Sequence, residues 1–301
     1  MDQKLTPSTV LLLLIPPFLW AGNAIIGRIA VPLIPPLTLN FLRWSIALLI
    51  ILPFGYSVLR QGSGLWAKRW RYIWLGCLGV GIYNSFQYLA LHTSTPINVT
   101  LVTASSPVWM LLVGRLFFHT QITVRQLFGA VLSIAGVLIV LSHGEIGQLL
   151  ELRFVFGDLL MLLATLSWAV YSWLLSQSKT EDSEAVRLNW ATFMMPQILY
   201  GIVWSGAFAA GEWTVAAPTI QWGWPLALIL AYVSIGPAII AMRCWALGVQ
   251  RVGASRAGFF NNLAPLFAAL MSSLFLGEMP QAFHAAGFTL IVGGIIFSSR
   301  R

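Results

Sequence analysis

The sequence predicts an all-α integral membrane protein of ten transmembrane helices, arranged as two inverted five-helix repeats. Three observations predict it: an apolar composition, a sorting of basic residues by loop, and an internal repeat. Of the 301 residues, 58% are hydrophobic and only 9% are charged, against roughly 25% charged in an ordinary soluble domain. A chain this apolar cannot cover its own surface in water, so its solvent is the lipid bilayer. The net charge of +8 forms no basic run or stripe, and no nucleic-acid partner is expected.

A bilayer core about 30 Å thick takes about 20 apolar residues per helix. Reading between polar and Pro/Gly-rich breaks gives spans at 9–29, 37–57, 70–92, 96–118, 123–142, 156–177, 186–209, 222–248, 252–276 and 282–299. Lys4 precedes the first apolar run, but a short h-region with a small-residue cleavage site is missing. The run is therefore read as span 1 and not as a cleaved signal. With the N-terminus cytoplasmic, Lys4, Arg60, Lys68, Arg69, Arg71, Arg115 and Arg125 fall on the inner side. So do Lys179, Arg187, Arg243, Arg251, Arg256, Arg300 and Arg301, which makes 14 of the 17 Lys and Arg. Only Arg28, Arg43 and Arg153 fall toward the outer side. Orientation follows Lys and Arg, and a missed span would reverse every later loop, so ten spans with both termini cytoplasmic is the expectation. Trp66, Trp70 and Trp74 cluster at the inner start of span 3, and Trp213, Trp222 and Trp224 around the outer loop before span 8. Both clusters read as interfacial belts. Cys77 and Cys244 lie far apart in apolar stretches and imply no disulfide framework.

The halves repeat. Pro107, Gly129 and Gly136 recur as Pro265, Gly287 and Gly294, each displaced by 158 residues. Trp20-Ala21 recurs as Trp168-Ala169, displaced by 148, and Trp44 as Trp190, displaced by 146. The repeats are expected at 1–148 and 149–301, forming one membrane domain overall. Five is odd, so the second copy must enter the membrane from the opposite side. Inverted repeats recur among secondary transporters, with the solute site near midplane between the halves.

Ten spans in two halves, the Trp-Ala pairs of spans 1 and 6, and the Ala-Leu to Pro spacing of spans 3–4 and 8–9 carry a resemblance. With the ending Leu276-Gly277-Glu278 of span 9, they are similar to the EamA branch of the drug/metabolite transporter superfamily along the whole chain. The resemblance implies a multi-pass protein of the bacterial inner membrane that exports amino acids, aromatic and other neutral ones. Other metabolites or drugs of the same superfamily are the alternative cargo. One departure stands out: the first half has His119-Thr120 where the second has Gly277-Glu278, so whatever Glu278 does is not duplicated.

Trp20 and Trp168 lie near the centres of their spans, and positions three apart share a helix face, which adds Asn23 and Tyr171. These four are expected to line a central cavity, with aromatic faces against an apolar or cationic group; helix packing is the competing reading. Span 3 pairs Tyr83 with Gln87 and Asn84 with Tyr88, each four apart. Polar side chains in lipid face the bundle interior or a wet cavity, where these either bind helices together or touch solute. Pro107 and Pro265 offer no N–H to the carbonyls of Thr103 and Asn261. The two breaks are either hinges for alternating access, with carbonyls free to accept an ammonium group, or static kinks.

No Asp or Glu lies in the middle of a span, where a cation-coupled antiporter usually carries a buried carboxylate. Arg28, Arg43, Arg115 and Arg243 read as snorkelling to helix ends, which leaves no midplane base for a phosphorylated cargo. A neutral or zwitterionic solute fits this inventory. His92, His119, His143 and His284 fall near membrane surfaces, unspaced against Cys, Asp or Glu as a zinc site requires. No Gly-x-Ser-x-Gly elbow is present, so neither metal, cofactor nor catalysis is expected. The exact solute, its direction, any ion coupling and the oligomeric state stay open in the sequence.

Overall fold

The computed structural model describes residues 5–60, 63, 65–145, 147–150, 153–178, 182, 189–215, 219–276 and 281–299. Every regular element among them is helical. Helix α1 (Pro7–Ala30) starts where Thr6 accepts the Thr9 N–H, with Pro7 in the first turn, where a missing N–H costs nothing. After α1 come α2 (Pro36–Gly55) and α3 (Arg69–Gly76). A π-helical segment, Cys77–Ile82, joins α3 to α4 (Tyr83–Thr93). Helices α5 (Pro96–Ala104), α6 (Ser106–Phe117), α7 (Val124–Leu141) and the short α8 (Gly147–Leu150) complete the first half. The second half runs through α9 (Phe156–Ser176), α10 (Trp190–Val215) and α11 (Trp224–Val233). A π-helical segment, Ser234–Ala241, leads into α12 (Met242–Val252). Then come α13 (Ala254–Gly258), a 3-10 turn (Phe259–Leu263), α14 (Ala264–Leu276) and α15 (Ala282–Ser299).

Eight helical runs among the described residues are long and apolar enough to cross a membrane: 7–30, 36–59, 98–117, 124–141, 156–176, 190–215, 224–252 and 282–299. Their ends fall within a few residues of the sequence boundaries, except that α10 continues to Val215. The other two expected spans, 70–92 and 252–276, coincide with α3–α4 and α13–α14, each interrupted by a change of helical type.

The interruptions repeat. The two π-helical segments and the starts of α6 (Ser106) and α14 (Ala264) are separated by about the displacement that relates Pro107 to Pro265. Both prolines sit at the second residue of a new helix, where they stop the preceding one. Helices in matching positions also pack on one another, α2 along α10 and α7 along α15. In the second pair the repeat-related glycines meet crosswise. A Cβ on Gly129 would stand 2.7 Å from the Gly294 carbonyl oxygen, and one on Gly136 2.8 Å from that of Gly287. Only hydrogen at these positions lets two backbones approach so closely, and the pairing makes the helices antiparallel.

Polar clasps mark the two ends of the bundle. At one end, Glu212 accepts from the N–H groups of Leu37 and Thr38 at 3.0 and 2.8 Å, capping the start of α2. At the same end Asp158 accepts from Ser94 and from Asn98 Nδ2. At the other end, Arg71 pairs with Asp182 at 2.9 Å, and the Tyr72 hydroxyl donates to the same carboxylate at 2.8 Å.

Candidate functional site

A cavity of about 400 Å³ lies between α1, α4 and α5 on one side and the 3-10 turn and α14 on the other. Its floor is Trp20, near the middle of α1, and its rim includes Arg28 and Ile29 in the last turn of that helix. Tyr83 and Gln87, one helical turn apart on α4, face it from the side. Thr103 and Ala104 end α5 on one wall, and Asn261, Asn262 and Pro265 form the wall opposite. The lining is mostly apolar, and among the described residues it contains no Asp or Glu.

Aromatic rings close the floor. Trp20 meets Trp168 edge-on at 5.1 Å between centroids and Trp245 at 5.6 Å. Trp168 also packs on Tyr83 at 4.7 Å and on Tyr171 at 5.1 Å. Three polar tips are satisfied: Trp20 Nε1 donates to the Pro237 carbonyl, Trp245 Nε1 to Ser172 Oγ, and the Tyr171 hydroxyl to Gln197 Oε1. Further along, Trp173 stacks on Phe118 and donates to the Met110 carbonyl. The lining of the cavity runs from Trp20 toward the end of the bundle that holds Arg28 and Leu91, and packed rings lie beneath Trp20 on the other side.

Trp20, Tyr83, Gln87, Thr103, Asn261 and Pro265 thus lie on the cavity wall, but six other residues singled out in the sequence do not. Trp168 is only 2% exposed, beneath Trp20 and Tyr83. Tyr171 is buried against Gln197, and Pro107 is buried at the start of α6. Asn23, Asn84 and Tyr88 are turned away from the cavity by a buried cation, Arg43. One terminal nitrogen of Arg43 donates to Asn84 Oδ1 at 2.9 Å and to the Tyr88 hydroxyl at 3.0 Å. Tyr88 passes the chain on to Asn23 Oδ1 at 3.0 Å, and Asn84 Nδ2 holds the Gly79 carbonyl at the π-helical segment. The snorkelling reading of Arg43 is corrected: the side chain is 1% exposed, and its guanidinium lies 5.1 Å over the Trp44 ring. Its position nearer the middle of α2 than the end puts the bilayer surface out of reach, so α1 and α4 must solvate it.

The carbonyls released by the two prolines are also occupied. Ser106 Oγ donates to the Thr103 carbonyl at 2.6 Å, and the Ala264 N–H bonds that of Asn261. Backbone oxygens at the breaks are therefore spoken for by local bonds, contrary to the expectation that they stand free. Glu278 lies outside the described residues. Three residues of the site carried no sequence signal of their own. Arg28 reads in the sequence only as a helix-end cation, and Asn262 and Trp245 stand beside residues whose periodicity gives them no distinguishing face.

Eight apolar helical runs of membrane-spanning length around an internal cavity of small-solute size define the class, a multi-pass membrane protein. The chain belongs to the EamA-like transporter family, which it matches over residues 7–142 and again over 155–300. An uncharacterized transporter of Archaeoglobus fulgidus is 27% identical over 97% of this chain and 98% of its own length. The aromatic amino acid exporter YddG of Ancylobacter novellus is 25% identical over 80% of this chain and 77% of that protein. A probable amino-acid metabolite efflux pump of Salmonella typhimurium is 24% identical over 92% of this chain and 89% of the pump. A crystal structure with 22% identity superposes with a TM-score of 0.73 over 96% of both chains, a likeness of fold alone.

Proposed function

We propose that the protein exports small neutral solutes, amino acids including aromatic ones, from the cytoplasm of a bacterial cell by alternating access. One observation carries the reading. The cavity draws its walls from both halves of the chain, is mostly apolar, and its described lining runs from Trp20 at mid-helix to Arg28 and Leu91 at one end of the bundle. A solute chamber open to one side and plugged by packed rings toward the other is one of the two states that alternating access requires. Relatives named as an aromatic amino acid exporter and an amino-acid metabolite efflux pump support the cargo.

In this reading α3–α4 and α13–α14 also cross the membrane, which makes ten spans with both termini cytoplasmic. Residues 1–148 and 149–301 are then inverted copies. The crosswise glycine contacts of α7 and α15, the recurring helix interruptions and the family's double match support that relation. Trp20, Tyr83 and Gln87 touch the solute in the state described. Asn23, Asn84, Tyr88, Trp168 and Tyr171 position those residues from behind, and the breaks at Pro107 and Pro265 act as hinges.

Purified protein in liposomes preloaded with unlabelled phenylalanine should accumulate labelled phenylalanine by counterflow, and excess tryptophan or leucine should compete. Absence of counterflow with every neutral amino acid, in protein that remains monodisperse and folded, would overturn the cargo.

A further inference from the structure

Contacts between repeat-related residues locate the axis that relates the two halves. A displacement of 158 residues turns Ala104 into Asn262, and these two meet: Asn262 Nδ2 donates to the Ala104 carbonyl at 3.2 Å. Trp20 and Trp168, displaced by 148, meet edge-on at 5.1 Å. The contact of Gly129 with Gly294 becomes that of Gly136 with Gly287 under the same operation. Contacts that map onto themselves or onto one another in this way lie at the axis, and they persist when the halves trade conformations. A contact away from the axis has its counterpart at the other end of the bundle.

Off-axis contacts are made at the end that holds Arg71, whose guanidinium donates to the Leu174 carbonyl at 3.0 Å. Next to it, Trp173 Nε1 donates to the Met110 carbonyl at 2.7 Å, and the ring stacks on Phe118. Helix α13 packs on α6 there, so closely that a Cβ on Gly258 would stand 2.6 Å from Met110 Cγ. The counterparts of Trp173, Gly258 and Met110 are Ile25, Thr100 and Ala268. All three line the cavity, with Thr100 on α5 and Ala268 on α14, the facing wall. Their sizes suit a contact of their own. Gly258 gives room to the long Met110, and at the counterpart the order reverses: Thr100 brings the bulk and Ala268 the room. Trp173 has no such match. Ile25 has less apolar surface to bury than an indole, and no side-chain N–H for the Ala268 carbonyl.

Given the inverted relation of the halves proposed above, we propose that in a second state Thr100 closes on Ala268 and Ile25, sealing the Arg28 end, while the contacts at the axis serve as the pivot. The new seal lacks the hydrogen bond and the aromatic area that Trp173 supplies to the other. Without solute, the chain therefore rests in the state described here.

Oxidative crosslinking of Thr100→Cys with Ala268→Cys in the purified full chain reads the second state without requiring transport; the native Cys77 and Cys244 are buried. Crosslinking should be slow in this pair alone. Adding Trp173→Ile should speed it by about fivefold or more, the effect of removing a hydrogen bond and part of a ring from the opposing seal. Ile25→Trp, which reinforces the weaker seal, should act in the same direction. A completed crosslink should stop phenylalanine counterflow, and reduction should restore it. No crosslink in any folded background overturns the contact. A crosslink already complete in the pair alone, or a rate that neither added variant changes, overturns the resting bias; if Trp173→Ile does not fold, Ile25→Trp decides it. Absence of the crosslink from a chain whose 57–67 and 210–221 segments lie on opposite faces would overturn the seal and leave the inverted arrangement standing. Crosslinking as expected in a chain without counterflow of any neutral amino acid would sink the cargo and leave the seal standing.

Discussion

Trp20 and Trp168 share a dipeptide context and a place in their repeats, yet the fold gives them different work. Trp20 presents part of its ring to the cavity, while Trp168 is enclosed by Trp20, Tyr83, Tyr171 and Trp245. Truncation should separate the two. Trp168→Ala removes a buried aromatic and should destabilise by about 3 kcal/mol or more, read as a lower melting temperature in detergent. Trp20→Ala should instead weaken solute binding about tenfold while the melting temperature falls less. Equal losses of stability would mean that both rings are only packing. The repeat in the sequence identified the pair, but helical spacing could not rank the two by depth, because depth depends on which neighbouring helix covers each face. The same limit applies to Tyr83–Gln87 and Asn84–Tyr88. One stripe of α4 faces the cavity and the other faces Arg43, and nothing in their spacing says which.

At the scale of elements, proline was the most readable signal. Pro107 and Pro265 each start a new helix, where their missing N–H and ring end the old one. The π-helical segments at 77–82 and 234–241 were not readable. Spans packed on several sides are apolar around their circumference, so their periodicity does not register an extra residue in a turn. Gly79 accounts for one segment in part, since a Cβ there would stand 2.7 Å from the Tyr171 ring. If the proline breaks are hinges, Pro107→Ala with Pro265→Ala should slow counterflow several-fold while solute affinity stays within about twofold. A full rate in the double variant would leave the breaks as static kinks. Because Ser106 and Ala264 occupy the carbonyls at the breaks, a hinge there would be a bonded joint that bends by exchanging local partners.

For the whole molecule, apolar runs between polar and Pro/Gly-rich breaks set the span positions, and eight of the ten coincide with helical runs long enough to cross a membrane. The segregation of Lys and Arg constrains their count and direction. Side-chain placement was less legible because it depends on contacts between distant segments, such as Tyr88 with Asn23 or Asn262 with Ala104. An odd module used twice must lie upside down relative to its copy. Tags introduced in the segments 57–67 and 210–221 should therefore be labelled from opposite faces of the membrane by an impermeant reagent. Labelling of both from one face would remove the inverted arrangement. The buried guanidinium of Arg43 has a consequence at this scale. Its hydrogen-bond partners are all neutral, so its positive potential extends into the neighbouring chamber. A bare monovalent cation about 10 Å away meets roughly 1.7 kcal/mol of repulsion at an effective dielectric of about 20, whereas a solute of zero net charge is largely spared. In the proposed transport cycle that potential would discourage sodium and hydronium ions from following a neutral cargo.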